Sequence, residues 1–249
     1  VVLAIVQRAL EGGIDWFDTA EAYGDGRSEE ALARALNAAG KKPGEVRVAT
    51  KWNPVGRTAA NLRGTIDERL RFLAPFPIDL YQVHQPFSLS SVEAEMDAMA
   101  DLVEQKKIRA VGVSNFNESR MRRAHQRLKK RGLVLASNQV KYSLLDRRVE
   151  HNGVLAAAKE LGITVIAYSP LEQGILSGKF HKDPALLEQV KGMRGLRPAY
   201  SRRRMERSRP VVEALDAIAQ ARGATPTMVA LAWLLQFHGD TVVAIPGAT

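Results

Sequence analysis

The stretch that decides the fold runs from Gly12 to Glu30 and reads G-G-I-D-W-F-D-T-A-E-A-Y-G-D-G-R-S-E-E. Its first part is a short apolar run typical of a strand that ends at Asp18, and two glycines then open a turn. Ser28 is predicted to cap the helix that follows. Asp18 and Tyr23 are therefore expected where a strand passes into a helix, the rim at which (β/α) folds keep their catalytic residues. An aspartate at a strand end can also simply cap a turn, so this stretch alone leaves both interpretations open.

The composition is that of a globular protein with one domain. The chain has 249 residues, 45% of them hydrophobic, which is enough for one large α/β barrel or two small domains. No linker rich in proline, glycine or serine divides it, so we predict one domain over residues 1–249. The sequence contains no cysteine, which excludes disulfides, thiolate catalysis and cysteine-bound metal. No apolar run approaches the roughly 18 residues that a membrane-spanning helix needs. We therefore predict a cytoplasmic protein without a membrane partner.

The sequence carries a surplus of positive charge, with 36 Lys and Arg against 27 Asp and Glu and a formal net charge of +9. Such a surplus can indicate nucleic acid, a phosphate-bearing ligand or a well-solvated surface. Aromatic residues make up only 6% and are not interleaved with the basic ones, so we predict no nucleic-acid partner. Much of the surplus falls in a segment predicted to be a connection without regular structure, which contains Arg194, Arg197, Arg202, Arg203, Arg204, Arg207 and Arg209.

Segments with strand and helix patterns alternate along the rest of the chain. Successive strand ends are spaced by 24 to 33 residues, close to the roughly 30 residues of a strand–loop–helix–loop unit. A seventh strand is predicted over Thr241–Ile245, after helices at Val211–Ala221 and at Thr227–Phe237, the latter capped by Thr225. Seven strands that alternate with helices predict a parallel sheet. The first six strands are predicted to end at Asp18, Lys51, His84, Asn115, Gln139 and Tyr168.

A closed barrel fits this pattern better than an open sheet. Polar residues end every predicted strand, whereas an open doubly wound sheet gathers them at one switch point. The sequence also contains no G-x-G-x-x-G fingerprint, which the Rossmann alternative would favour. We therefore predict an α/β fold of the (β/α)8 TIM-barrel class, with a doubly wound Rossmann sheet as the alternative.

Four side chains of complementary chemistry are expected at one rim of this barrel. The ends of consecutive parallel strands lie side by side, so Asp18, Lys51 and His84 would meet there, with Tyr23 on the loop above Asp18. A tyrosine phenol has an ordinary pKa of about 10, and an adjacent ammonium lowers that pKa because it stabilises the phenolate. The set therefore suggests proton transfer to or from a carbonyl or alcohol oxygen.

Each of these residues also has a plainer interpretation. A lysine or histidine at a strand end is more often a surface residue or a satisfied core residue, and only the convergence of four suitable types favours catalysis. A zinc site is the competing interpretation of His84 and Asp18. No second histidine lies at ligand spacing in the sequence, so we predict no metal.

Eight short motifs give the chain a wider resemblance, and their order and spacing together are far more specific than any one of them. On these motifs the whole chain resembles the aldo-keto reductase family. The motifs are D-T-A-E-A-Y-G at 18–24, A-T-K-W at 49–52, I-D-L-Y-Q-V-H at 78–84, V-G-V-S-N-F at 111–116, N-Q-V at 138–140, A-Y-S-P-L at 167–171, G-I-L-S-G-K at 174–179 and I-P-G-A-T at 245–249.

The resemblance implies a (β/α)8 barrel that binds NADP(H) without a Rossmann domain and reduces an aldehyde or ketone by hydride transfer. Its catalytic tetrad would fall on Asp18, Tyr23, Lys51 and His84. Tyr23 would be the general acid, Lys51 and Asp18 would tune it, and His84 would orient the carbonyl. Trp52 would line the substrate pocket together with Tyr23 and His84.

The resemblance also assigns the residues that would hold the cofactor. Ser114, Asn115 and Gln139 would hydrogen-bond the nicotinamide carboxamide, and Tyr168 would stack on the nicotinamide ring. The other implied contacts are a pyrophosphate-side loop of Ser169, Leu171, Gln173 and Lys179, a phosphate contact at Arg194, and an adenosine-phosphate site that begins at Gly247 and Thr249.

The sequence departs from the family pattern at both ends. The first strand and N-terminal hairpin of the family would precede Val1, and the last helix, which holds the 2′-phosphate of NADP, would follow Thr249. The preference for NADP over NAD is therefore implied by the resemblance alone. The alternative function is an NADP(H)-binding subunit that senses redox state, resembling the potassium-channel β-subunits that share the fold. The sequence predicts neither the particular carbonyl substrate nor an oligomeric state.

Overall fold

The computed structural model describes residues 1–187, 189–190 and 200–247. Strands and α-helices alternate along most of these residues, as the sequence predicts. The strands are β1 (Trp16–Asp18), β2 (Arg47–Trp52), β3 (Ile78–Val83), β4 (Ile108–Ser114), β5 (Leu135–Lys141), β6 (Thr164–Tyr168) and β7 (Val242–Ile245). The helices are α1 (Val2–Glu11), α2 (Arg27–Ala38), α3 (Ala59–Leu73), α4 (Val92–Glu104), α5 (Glu118–Lys129), α6 (Val154–Leu161), α7 (Lys179–Lys182), α8 (Arg202–Arg222) and α9 (Pro226–Gln236).

The chain divides into two units. The first consists of Val1–Gln139 and Ala156–Ile163. Its strands are parallel and neighbour one another in the order of the chain. Every residue of β3 is buried, because helices cover the outer face of the strands with side chains such as the fully buried Leu62 and Ile66 of α3.

The second unit consists of Val140–Leu155 and Thr164–Gly247. Its strands β6 and β7 are parallel, with Val165 to Tyr168 paired to Val242 to Ile245. A core of Leu176, Leu215 and Ala230 joins the segment after β6 to α8 and α9. Among the residues that the structure describes, no helix has the length and apolar content needed to cross a lipid bilayer.

Two helices begin at the capping residues that the sequence predicts. The predicted cap Thr225 is confirmed, since its side-chain oxygen accepts a hydrogen bond from the backbone N–H of Met228 and Pro226 begins α9. Asn117 caps α5 in the same way.

The predicted cap at Ser28 is wrong, because α2 begins at Arg27 and its N-cap residue is Gly26. Gly26 has a left-handed φ of 85°, and a Cβ at this position would lie 2.3 Å from a ring carbon of Phe72, so the tight entry into α2 requires glycine. The hydroxyl oxygen of Ser28 accepts a hydrogen bond from Thr19 Oγ1 at 2.9 Å.

The arginine-rich segment after residue 200 is helical, so the prediction of an irregular connection there is wrong, as is the predicted helix start at Val211. Helix α8 begins at Arg202 and continues through Pro210 to Arg222. Burial of one apolar face outweighs the backbone hydrogen bond that Pro210 cannot make. That face follows the helical spacing Met205, Ser208, Val212, Leu215 and Ala219.

Candidate active site

A buried ion pair joins the ends of β1 and β2. The Lys51 side chain is entirely buried, and its ammonium donates hydrogen bonds to Asp18 Oδ1 and, at 2.8 Å, to the backbone oxygen of Thr19. Burial lowers the pKa of Lys51, and the charge of Asp18 opposes that lowering. A cation is thus held in a fixed place with little access to water.

The loop after β1 carries Tyr23 and is fixed to β2 through Glu21. The backbone N–H of Glu21 donates to the oxygen of Lys51 at 3.2 Å. The buried carboxylate of Glu21 accepts from the backbone N–H of Asn53 at 2.9 Å and pairs with Arg57 at 2.5 Å. These contacts fix the base of the loop, while the Tyr23 side chain itself is 46% exposed.

The structure brings the four predicted catalytic residues together in the first unit. The Lys51 ammonium lies 5.3 Å from the centre of the Tyr23 ring. The Tyr23 and His84 rings meet edge to face, with their centres 5.7 Å apart. Asp18 forms an ion pair with the same Lys51 ammonium, so carboxylate, ammonium, phenol and imidazole are in contact in sequence.

His84 follows β3 directly and is held there by its backbone N–H, which donates to the oxygen of Trp52 at 3.0 Å. Burial lowers the pKa of His84 to about 4, and the nearby Lys51 charge adds to this lowering. At neutral pH the imidazole is therefore uncharged and able to donate one hydrogen bond to a ligand.

The low pKa of His84 predicts how this ring titrates. In the folded protein the His84 ring should protonate only near pH 4, well below the ordinary histidine value of 6.5. Since the folded state binds this proton more weakly than the unfolded state, His84 should favour unfolding increasingly as the pH falls from 6.5 towards 4. A histidine-resolved NMR titration measures the midpoint, and a His84 midpoint near 6.5 would contradict this geometry.

Three amide- and hydroxyl-bearing residues lie beside the ion pair. Gln139 of β5 donates through Nε2 to Asp18 Oδ2 at 3.0 Å. Its backbone oxygen accepts from the Ser114 hydroxyl and from the backbone N–H of Asn115, both at 2.9 Å. Asn115 has a left-handed φ of 60°, an uncommon backbone conformation for a residue other than glycine. The sequence thus predicts correctly that these residues lie near one another, and their binding role stays a prediction.

Gln82 belongs to the same polar group, although it is not among the site residues predicted from the sequence. Its side chain is fully buried, and Nε2 lies 3.3 Å from Asp18 Oδ2. A signal was present in the sequence, because Gln82 precedes His84 by two residues and alternate residues of a strand face the same side. The hydrogen bond from Lys51 to the backbone oxygen of Thr19 could not be predicted from residue type, because every residue carries a backbone oxygen.

The predicted phosphate-side residues lie in the second unit, in the segment that follows β6. Tyr168 ends β6, and burial raises the pKa of its phenol, so the ring stays uncharged. Ser169 and Gln173 have left-handed φ values of 52° and 57°, and Lys179 is an exposed cation at the start of α7. Leu171 accepts two backbone hydrogen bonds within this segment.

Glu172 holds this segment in its unusual shape. The residue is 2% exposed and has a φ of 45°. Its carboxylate lies 2.6 Å from the Lys141 ammonium and 3.6 Å from the guanidinium of Arg204 on α8. The role of Glu172 could not be predicted from the sequence, because its partners lie far away along the chain.

The remaining predicted site residues are Trp52 and Gly247, which the structure describes, and two that lie outside the described residues. Trp52 is fully buried and donates through Nε1 to Asn61 at 3.0 Å, and its predicted place in a substrate pocket stays a prediction. Gly247 is exposed after β7, whereas Arg194 and Thr249 lie outside the described residues. In the described ranges, no three His, Asp or Glu side chains are grouped as ligands for a metal ion.

Comparison with known proteins shows the family of this chain. The model of the aldo/keto reductase family matches residues 1–249. The chain belongs to the aldo/keto reductase family. An uncharacterized oxidoreductase of Mycobacterium tuberculosis is 41% identical over 245 residues, which cover 98% of this chain and 72% of the relative. A probable aldo-keto reductase of Glycine max is 28% identical over 258 residues, 99% of this chain and 70% of that protein.

Solved structures of the family agree with this assignment. The glycerol dehydrogenase of Gluconobacter oxydans has a TM-score of 0.83 at 30% identity, and the match covers 99% of this chain and 75% of that one. A thermostable aldo-keto reductase solved with the inhibitor epalrestat has a TM-score of 0.76 at 29% identity, covering 99% and 76%. The predicted (β/α)8 TIM-barrel class is thereby confirmed, and this family member is an oxidoreductase of the carbonyl-reducing kind.

Proposed function

We propose that this aldo-keto reductase reduces an aldehyde or ketone to an alcohol with NADPH, and that Tyr23 is the general acid. The observation that carries the proposal is the buried Lys51–Asp18 pair, whose ammonium lies 5.3 Å from the ring of a phenol that remains accessible. A general acid needs access to its substrate and a group that stabilises it after the proton has left.

Each side chain of the tetrad has a separate task in the proposed reaction. The Tyr23 hydroxyl donates its proton to the carbonyl oxygen as that oxygen gains negative charge. Lys51 stabilises the phenolate that remains, and Asp18 holds the ammonium in place. His84, uncharged at neutral pH, donates a hydrogen bond that orients the carbonyl oxygen beside the phenol.

Gln139, Asn115 and Ser114 of the first unit offer hydrogen-bonding groups that suit the carboxamide of a nicotinamide cofactor. A carboxylate can only accept hydrogen bonds, so Asp18 fixes the Gln139 amide with Nε2 towards itself, which leaves Oε1 to accept from a carboxamide N–H. Ser114 and Asn115 supply further polar groups next to it. A reduced nicotinamide supplies, when bound, the hydride that a carbonyl carbon receives.

The segment after β6 has the chemistry expected for the remainder of the cofactor. Lys179 offers an exposed positive charge, which suits a phosphate. The Gln173 Oε1 atom is buried, and no group of the described residues donates to it, so it favours a ligand that carries a hydroxyl donor. We assign the uncharged Tyr168 ring to stacking on nicotinamide, with Ser169 and Leu171 in the same binding segment. The choice of NADP over NAD rests on the resemblance to the family.

The proposal is tested by cofactor oxidation with a panel of carbonyl compounds. Purified protein should oxidise NADPH in the presence of at least one aldehyde or ketone, and faster than it oxidises NADH. Because one solved relative is a glycerol dehydrogenase, the panel should include glycerol with NADP⁺ for the reverse direction. Tight NADPH binding without turnover of any compound would overturn the proposal and favour the redox-sensing alternative.

A further inference from the structure

Gln82 occupies a row of side chains that crosses the first unit at one level. Lys51 of β2 lies beside Gln82 of β3, which lies beside Gly112 of β4, which in turn lies beside Ser137 of β5. Paired residues of neighbouring strands point to the same face of a sheet, so Gln82 and Lys51 share the face on which Asp18 is bound. The catalytic pair thus has a buried amide as its neighbour.

The orientation of the Gln82 amide follows from the chemistry of its partners. Asp18 offers only acceptors, so the nitrogen Nε2 faces Asp18 Oδ2 at 3.3 Å. The oxygen Oε1 then faces the hydroxyl of Ser137, which lies 3.5 Å away and donates at the long limit of a hydrogen bond. The amide therefore has a definite direction, from Ser137 towards the carboxylate.

Space for this side chain depends on the glycine of the next strand. A Cβ at Gly112 would lie 2.8 Å from Gln82 Cγ and 2.5 Å from Ser137 Oγ. Both distances are shorter than non-bonded atoms tolerate, so any larger residue at Gly112 would displace Gln82 or Ser137. The absence of a side chain at Gly112 is what lets Gln82 lie where it does.

We propose that Gln82 is a positioning residue that holds Asp18 in the orientation in which its Oδ1 faces Lys51. This inference rests on the proposed reductase function. Asp18 Oδ2 accepts from two amides, Gln82 and Gln139, while Oδ1 accepts from Lys51. Gln139 is also assigned to the cofactor. Of the two amides, Gln82 is therefore the one that keeps its hydrogen bond to Asp18 when the cofactor binds or leaves.

The first variant, Gln82→Met, keeps the length and burial of the side chain and removes both of its hydrogen bonds. Loss of a hydrogen bond to a buried carboxylate should lower kcat for carbonyl reduction about tenfold. Because Gln82 contacts neither ligand in the proposed reaction, KM for the carbonyl and the affinity for NADPH should stay within about threefold of the parent values.

The second variant, Gln82→Glu, gives a readout that a packing role would not produce. When protonated, the introduced carboxyl group can donate to Asp18 as the amide does, and when ionised it repels Asp18. Burial and the Asp18 charge raise its pKa above the ordinary value of about 4.3, while Lys51 acts in the opposite direction. The other titratable groups of the site are Tyr23 and His84, and the His84 imidazole is uncharged at neutral pH because its pKa is about 4. The ratio of variant to parent kcat should therefore fall as the pH rises from 5 to 9.

The same variant has a stability readout that does not need activity. The folded state should hold the proton of the introduced group more tightly than the unfolded state, so its thermal stability relative to the parent should also fall with rising pH. Leu80→Met is the matched control, since Leu80 lies on the same face of β3, is buried and has no bond to Asp18. The control should show neither effect.

The outcomes separate this inference from the proposed function. A parent that reduces no carbonyl compound defeats the proposed function, and the positioning role falls with it. An active parent whose kcat is unchanged in Gln82→Met overturns the positioning role alone, whatever the stability data show. An equal loss of kcat at every pH in Gln82→Glu, or a similar loss in Leu80→Met, would also overturn it, because both indicate packing.

Discussion

Replacing Tyr23 by phenylalanine should lower carbonyl reduction by a factor of about 10² or more, the loss expected when a general acid is removed. The substitution keeps the ring, its edge-to-face contact with His84 and its position near the Lys51 ammonium. It removes only the proton that the proposed reaction passes to the carbonyl oxygen. Steady-state kinetics with a carbonyl compound that the parent reduces would measure the change.

A matched control for Tyr23→Phe exists in the same unit. The Tyr81 side chain is fully buried, and its hydroxyl has no hydrogen-bond partner among the described residues. Tyr81→Phe therefore makes the same chemical change away from the tetrad and should leave kcat within about twofold, with equal or higher stability. NADPH affinity should be similar in both variants. Near-normal turnover by Tyr23→Phe would defeat the assignment of the acid.

The convergence of Asp18, Tyr23, Lys51 and His84 could be predicted from the sequence because two local signals agree. Hydrophobic periodicity locates the strands, and the polar residue at the end of each strand then falls on a common rim. The structure places Asp18, Lys51 and His84 at or next to strand ends, with Tyr23 on the loop above. None of these placements requires knowledge of which side chain touches which.

The contacts that complete the site could not be predicted in this way. Asp18 bonds Gln82 and Gln139, which lie 64 and 121 residues away along the chain. Such contacts depend on the register between strands, and a sequence pattern fixes the face of a residue but not its partner. Helix α8 shows the same limit, since a proline that usually ends a helix lies inside one whose buried face stabilises it.

The ion pair beneath Tyr23 gives the prediction with the largest effect on folding. Lys51→Met leaves the Asp18 carboxylate, whose side chain is only 8% exposed, without a counter-charge. Removal of one partner of a buried pair typically costs ~3–5 kcal/mol of unfolding free energy. Chemical denaturation of the variant should show a loss of this size, and kcat should fall together with the stability because the phenolate loses its cation.

A surface pair provides the control for this change. Lys107 lies 2.6 Å from Asp67, but the two side chains are 30% and 72% exposed. Exposed pairs contribute at most about 1 kcal/mol, so Lys107→Met should cost little stability and no activity. If Lys51→Met lost no more unfolding free energy than Lys107→Met, the predicted cost of breaking the buried Lys51–Asp18 pair would be contradicted.

The double variant Asp18→Asn with Lys51→Met separates stability from catalysis. Without a charge at either position, no ion remains buried without its partner, so most of the stability lost in Lys51→Met should return. The amide introduced at Asp18 can still accept from Gln82 and Gln139, whereas its own N–H group faces methionine, so the recovery should be incomplete. Activity should not return, because neither residue can then stabilise the Tyr23 phenolate. Recovery of both stability and turnover would mean that the pair serves the fold and that the reaction needs no cation at this position.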